Sequence, residues 1–159
     1  MKTHVTDRAQ PALFELPEDI RELKARAAAF VEKEIRPIEE KVAKTETIDL
    51  ADFAMLRRKA RAAGFSMLNM PAKYGGKDLS MLGQVAIEEE AGKATNGLGF
   101  AVADRGPREL VEIASEDQVQ RFVMQVIRGE AREAWAVTEP GAGSDVSAIS
   151  TRAVRHGDD

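Results

Sequence analysis

Apolar residues recur at steps of three and four through most of this chain, then at steps of two after residue 129. Ile20, Leu23, Ala27, Val31, Ile35, Ile38 and Val42 form one stripe, which predicts an amphipathic helix of roughly 25 residues. Leu16-Pro17-Glu18-Asp19 suits its start, with acids placed against the positive end of the helix. Pro37 falls inside the stripe and predicts a kink. Asp49 is a cap for a second helix carrying Leu50, Phe53, Leu56, Ala60 and Ala63, and Gly64 ends it. Residues 65–79 read as loop. Ser80 caps a third helix, where Leu82, Val85, Ala86, Ile87, Ala91 and Ala94 spread around most of the circumference and predict burial on more than one side. The acids Glu88, Glu89 and Glu90 interrupt it; they point in different directions, so one of them is expected to be half-buried. Asn96-Gly-Leu-Gly99 breaks the pattern, and Phe100 to Asp104 suit another helical turn. Ser115-Glu-Asp-Gln118 is a capping-box pattern, and Val119, Phe122, Val123, Val126 and Ile127 complete the clearest helix of the chain up to Gly129.

From there the period of two takes over. Residues 132–138 read as one strand and 149–155 as another, with Ile149, Thr151 and Ala153 facing away from Ser150, Arg152 and Val154. His156-Gly157-Asp158-Asp159 has the composition of a hairpin turn. Two strands alone are marginal in water, so the expectation is that these residues are the front part of a longer polypeptide. The fold class that follows is mainly α. A helical bundle over residues 16–130 is preceded by a flexible arm over 1–15. It is followed, over 131–159, by the first strands of an incomplete β-domain.

Composition narrows the functional classes. The chain has 159 residues, 43% hydrophobic and only 5% aromatic, which favours helices packed through small side chains over a β-sandwich. There is no cysteine, which removes disulfides, thiolate metal sites and cysteine nucleophiles, and makes the cytoplasm the simplest compartment. His4 and His156 are too few for a metal cluster. No apolar run approaches the length of a membrane span, and the first fifteen residues are no signal peptide. The net charge is −4, so nucleic-acid binding would need a local basic patch. Arg57, Arg58, Lys59 and Arg61 form the one dense basic cluster. No aromatic interleaves it, and it reads as a solvated helix face.

The most informative stretch is Trp135-Ala-Val-Thr-Glu-Pro-Gly-Ala-Gly-Ser-Asp145. It begins with strand alternation, and Pro140 stops the ladder because it has no amide proton. Gly141 and Gly143 are free to adopt positive φ and to bring bare backbone near a ligand. Ser144 and Asp145 add a hydroxyl and a carboxylate. Such a corner can hold a planar ring at its strand end and an anion on its turn amides; an ordinary surface turn is the plain alternative.

The segment closely resembles the acyl-CoA dehydrogenase signature of Thr-Glu-Pro, two small residues, then Gly-Ser-Asp, matched here by Thr138, Glu139, Pro140, Gly143, Ser144 and Asp145. Pro71-Ala-Lys-Tyr74-Gly75-Gly76 looks like the same family's Pro-x-x-Tyr-Gly-Gly loop, in the same order and at a comparable distance. The resemblance runs from about Leu16 to the last residue. It implies FAD as cofactor, an acyl-CoA thioester as substrate, α,β-dehydrogenation as reaction, an electron-transfer flavoprotein as acceptor and a homotetrameric assembly at full length. It places Trp135, Val137 and Thr138 along the flavin ring. Ser144 would contact the flavin phosphates and the substrate's pantetheine arm. Leu98, Ala101 and Val102 become candidates for lining the acyl chain, although helix packing explains them equally well. Asp104-Arg105-Gly106 is a charged patch for such a neighbourhood, explained by a polar acyl group or by a surface loop. Tyr74 has two readings: a gap-filling residue with its hydroxyl toward solvent, which is favoured, and direct contact with substrate.

No carboxylate here corresponds to the family's catalytic glutamate, which most members carry in a C-terminal bundle. Glu139 and Asp145 read as structural acids that fix the turn, and no catalytic residue is assigned. The 159 residues alone are expected to bind FAD poorly and to turn nothing over. Two alternatives stand beside this reading: an acyl-CoA oxidase or related flavin monooxygenase, and a non-catalytic helical binding or dimerisation module.

Overall fold

The structure, a computed structural model, describes residues 15–157. The expected arm over residues 1–15 falls almost wholly outside them, as do the last two residues of the turn at His156. The long N-terminal stripe forms α1 (Glu18–Phe30) and α2 (Arg36–Thr45), joined by a single π-helical turn at Val31–Ile35. That turn lies immediately before Pro37, whose ring cannot tolerate the carbonyl four residues back and has no proton to offer it. Widening by one residue is a way to accommodate the proline without ending the helix. Here the expected kink takes the form of a π turn.

The next three starts follow the sequence signals. Asp49 accepts a hydrogen bond from the Ala51 amide at 2.8 Å and opens α3 (Leu50–Ala63), which closes on Gly64 at φ +88°. Ser80 accepts from the Gly83 amide and opens α4 (Met81–Ala91). After α5 (Arg108–Ile113), Ser115 and Gln118 exchange both bonds of a capping box at the start of α6 (Glu116–Gln118). A π turn at Val119–Val123 then leads into α7 (Met124–Arg128), which ends at Gly129.

Two clusters make the core. The larger joins Ala27, Phe30, Val31 and Ile35 to Leu56, Ile87, Leu98 and neighbours, with Phe30 and Phe65 meeting edge to face at 5.6 Å. The smaller packs Met67 and Met70 under Val119, Val123 and Ile127. Methionine suits this second site because its unbranched chain fills the irregular space beneath a loop. The loop between α3 and α4 is built on close backbone contact. Gly75 sits at φ +87°, and a Cβ on Gly76 would lie 2.0 Å from the Met70 carbonyl oxygen. Tyr74 is half-buried against the smaller cluster, with Lys73 over its ring at 4.6 Å, in keeping with its gap-filling role.

Buried charge is paired. Glu90 is the buried member of the acidic triplet, held by Lys93 at 2.5 Å and Lys24 at 3.7 Å. Glu39 ties α2 to the segment after α4, accepting from the Thr95 amide, the Thr95 hydroxyl at 2.8 Å and Arg36 at 2.6 Å. Burial by itself would raise the Glu39 carboxyl; the bonds from the Thr95 amide, Arg36 and the Thr95 hydroxyl outweigh it and hold the group below the ordinary range.

Two expectations fail. α4 is not buried all round: it packs on α1 through Gly83, Gln84, Ala86, Ile87, Glu90 and Ala91, while Met81, Leu82 and Val85 face outward. Its apolar content spreads beyond the face that α1 and the turn at Leu98–Ala101 cover, and Met81, Leu82 and Val85 lie outside that face. More important, the strands expected at 132–138 and 149–155 are absent; among the described residues there are only two isolated bridges, Ser66 with Asp104 and Glu139 with Ala142. Alternation specifies which side chains would face a core, but a strand exists only where a second strand takes its amides and carbonyls. Neither segment pairs with the other or with the helices, and Trp135 and Val154 remain 72% and 73% exposed.

Candidate functional site

The corner after Pro140 is closed by its own side chains. Glu139 and Ala142 exchange two backbone bonds of 2.9 and 3.1 Å across Pro140-Gly141. The Glu139 carboxylate then reaches forward. It accepts from the Ser150 amide at 2.9 Å, the Ser150 hydroxyl at 2.8 Å and the Thr151 amide at 2.9 Å. Hydrogen bonding by Thr151 and Ser150, side chain and backbone together, pushes this carboxyl down to about 2. Asp145 works in the same manner on a smaller scale. It caps a 3₁₀ turn at Val146–Ala148 by accepting from the Ser147 hydroxyl at 2.5 Å and the Ser147 amide at 3.0 Å, bonds that lower its carboxyl too. Both acids therefore act as structural clamps, which leaves neither poised as a proton acceptor near neutral pH.

What the clamps present is open on one side. Trp135, Thr138, Gly141, Gly143 and Ser144 are exposed, Val137 is half-buried, and Ala142 alone is buried. Neither glycine has positive φ, contrary to the freedom expected of them, and a Cβ added to either would meet nothing within 4 Å. Nothing in the described structure therefore requires glycine at these two positions. Among the described residues the amides of Gly141, Gly143 and Ser144 donate to no acceptor. The corner thus offers unused backbone donors, two hydroxyls and an exposed indole, a donor set suited to phosphate oxygens beside an aromatic ring. On these grounds the residues fit a flavin dinucleotide.

The second sequence-derived site divides differently. Leu98 and Val102 are fully buried in the larger core cluster with Ala101. The 3₁₀ turn Leu98–Ala101 has three residues per turn, so Leu98 and Ala101 share its inner side. Phe100, on the outer side, is 78% exposed. With Ala91, Ala94, Gly97 and Ala103 it lines a cavity of about 480 Å³, and Arg105 and Glu88 form an ion pair of 2.9 Å among the lining residues. Phe100 was missed because helical periodicity marks the buried face and Phe100 lies outside it; Ala103 borders the cavity from its place against the larger cluster. The three-residue spacing of Phe100 and Ala103 was the available signal. Asp104 is not free for a ligand: Arg57 holds it at 2.7 Å and the Ser66 hydroxyl donates to it at 3.2 Å. Among the described residues no group of His, Asp or Glu is arranged to hold a metal ion, and no helix is long and apolar enough to cross a membrane.

Comparison with known proteins agrees with the helical part. The profile of the acyl-CoA dehydrogenase N-terminal domain matches residues 17–130. A 3-(aryl)acrylate reductase of Clostridium sporogenes is 35% identical over 138 residues, covering 83% of this chain and 35% of that protein. An (R)-benzylsuccinyl-CoA dehydrogenase of Thauera aromatica is 33% identical over 156 residues, covering 89% of this chain and 38% of the relative. A mitochondrial isovaleryl-CoA dehydrogenase of Pongo abelii is 29% identical over 153 residues, covering 92% and 35%. The chain thus spans little more than a third of the length of these curated relatives. No solved structure matches it at a significant level. The profile match, with relatives 35% and 33% identical over most of this chain, shows that this chain belongs to the acyl-CoA dehydrogenase family, with residues 17–130 matching its N-terminal domain.

Proposed function

We propose that this chain supplies the N-terminal helical domain and the cofactor-facing corner of an FAD-dependent acyl-CoA dehydrogenase. The observation that carries the reading is the pair Gly141 and Gly143, bare backbone with open space around it and no internal reason to be glycine. When bound, the flavin supplies the two-electron acceptor for hydrogen leaving the α and β carbons of an acyl-CoA thioester. The chain's own residues bind and orient. Trp135 and Val137 offer an apolar wall to the ring, Thr138 a hydroxyl to its polar edge, and the Gly143 and Ser144 amides with the Ser144 hydroxyl donate to phosphate. Glu139 holds the loop that carries them, and a proton acceptor for catalysis comes from outside these residues. The acyl-CoA substrate, an electron-transfer flavoprotein as acceptor, a homotetramer and a cytoplasmic location belong to the same proposal. Two relatives are named for aryl-bearing substrates, and exposed Phe100 beside the 480 Å³ cavity supports an aryl-substituted acyl group over a plain one.

Trp135 is the sole tryptophan and so reports directly on the corner. Titration of the 159-residue chain with FAD is expected to quench its fluorescence with weak affinity, and Thr138→Ala with Ser144→Ala to weaken that binding at least about tenfold. Equal quenching curves for the two proteins, or quenching matched by adenosine monophosphate, would remove the corner from the cofactor site.

A further inference from the structure

The basic cluster read from the sequence as a solvated helix face is only half of what the fold assembles. Arg57, Arg58 and Arg61 on α3 meet Arg128 at the end of α7 and Arg132 just beyond it, around a cavity of about 350 Å³. Arg128 and Arg132 are about seventy residues away in sequence, so no local pattern announces their arrival. The chain as a whole carries −4, so five arginines lining one cavity do not follow from a basic composition.

Three of the five have internal partners. Arg57 is committed to Asp104 at 2.7 Å. Arg61 donates to the Ile127 carbonyl and packs under Gly129, so it serves as a cap for α7. Arg128 pairs with Glu130 at 2.9 Å, an exposed contact of little strength. Arg58 and Arg132 are exposed and have no carboxylate partner among the described residues. Like charges converging on a concave site concentrate positive potential there, and guanidinium forks match phosphate oxygens in pairs.

We propose that this cavity is a binding site for a soluble diphosphate-bearing molecule, with Arg58 and Arg132 as its principal donors and Arg128 as a third released from Glu130. The volume accommodates two phosphate groups, and two partnerless forks on separate segments suit a dianion or trianion better than a single carboxylate. The site is distinct from the corner at Thr138 and Ser144 and does not depend on the cofactor reading.

Calorimetric titration of the full chain at low salt with inorganic diphosphate, a nucleoside diphosphate and sulfate tests it. Diphosphate is expected to bind at least about tenfold more tightly than sulfate, and the affinity to fall steeply as salt is added. A nucleoside diphosphate binding more tightly still identifies the source as a nucleotide; equal binding points to the diphosphate group alone. Arg58→Gln with Arg132→Gln should weaken diphosphate at least about tenfold. Glu130→Gln, which frees Arg128, should tighten it a few-fold, a gain that a merely structural role would not produce. Both arginines are exposed, so the double variant is expected to keep the wild-type helical circular dichroism. No heat from diphosphate, indifference between diphosphate and sulfate, or equal affinity in the double variant would overturn the proposal.

Discussion

Gly76, in the loop after α3, and Gly143, in the corner after Pro140, are both bare backbone, but for opposite reasons. At Gly76 the chain itself fills the space, since a Cβ would sit 2.0 Å from a carbonyl oxygen of Met70. At Gly143 the same atom would meet nothing. The contrast holds for the regions around them. Among the described residues the buried hydrophobic side chains lie in the helices and their loops, and Ala142 is the sole one beyond Gly129. The helical region spends its unusual residues on its own packing. The corner spends polar clamps on holding a surface open, and what that surface meets lies outside its own contacts. A residue kept without an internal reason is where function is to be sought.

The contrast can be broken most forcefully at the core. Leu56→Ala, at a fully buried site in the larger cluster, should cost about 4 kcal/mol in urea unfolding. Gly76→Ala should cost about 3 kcal/mol through forced backbone movement, whereas Gly143→Ala should stay within about 0.5 kcal/mol. Comparable losses at the two glycines would mean that the corner is packed after all, and the distinction would collapse.

The smallest effect concerns the clamp at Glu139. Its carboxyl in the folded chain lies near 2, below the ordinary 4.5. The closed corner is therefore fully favoured above about 4.5 and is lost as pH falls from there toward 2. Amide shifts of Ser150 and Thr151 followed by NMR should report this opening while the helical signals stay unchanged. A titration centred at the ordinary carboxylate value would show that the clamp does not form. Glu139→Gln should reproduce the open form at neutral pH, with no change in global unfolding.

Several parts of this fold were legible before any coordinates. Asp49, Ser80 and Ser115 open helices because a short oxygen side chain can satisfy an orphan amide within its own turn, and Gly64 and Gly129 close them because they accept positive φ. These are local bargains, settled within four residues. The signature residues from Thr138 to Asp145 were legible through the family resemblance; Asp145 makes its clamp locally with Ser147, while Glu139 reaches Ser150 and Thr151, partners that no local pattern announced. Other features were hidden. The strands expected at 132–138 and 149–155 depend on partners that alternation does not supply. The outward face of α4 reads as core in sequence because apolar content alone does not say which neighbour covers it. Phe100 escaped notice because the 3₁₀ turn that exposes it departs from helical spacing.

By itself, then, the sequence determined where α3, α4 and α6 start, where α3 and α7 stop, and the family to which the chain belongs. Those properties rest on backbone hydrogen bonds and side-chain periodicity over a few residues. Tertiary structure alone decided that Leu98 and Val102 are core while Phe100 faces a cavity. It also decided that Asp104 is engaged by Arg57, and that Arg58 and Arg132 share one cavity. Each of these depends on where distant segments come to rest, and that is set by how buried faces fit together rather than by any spacing along the chain.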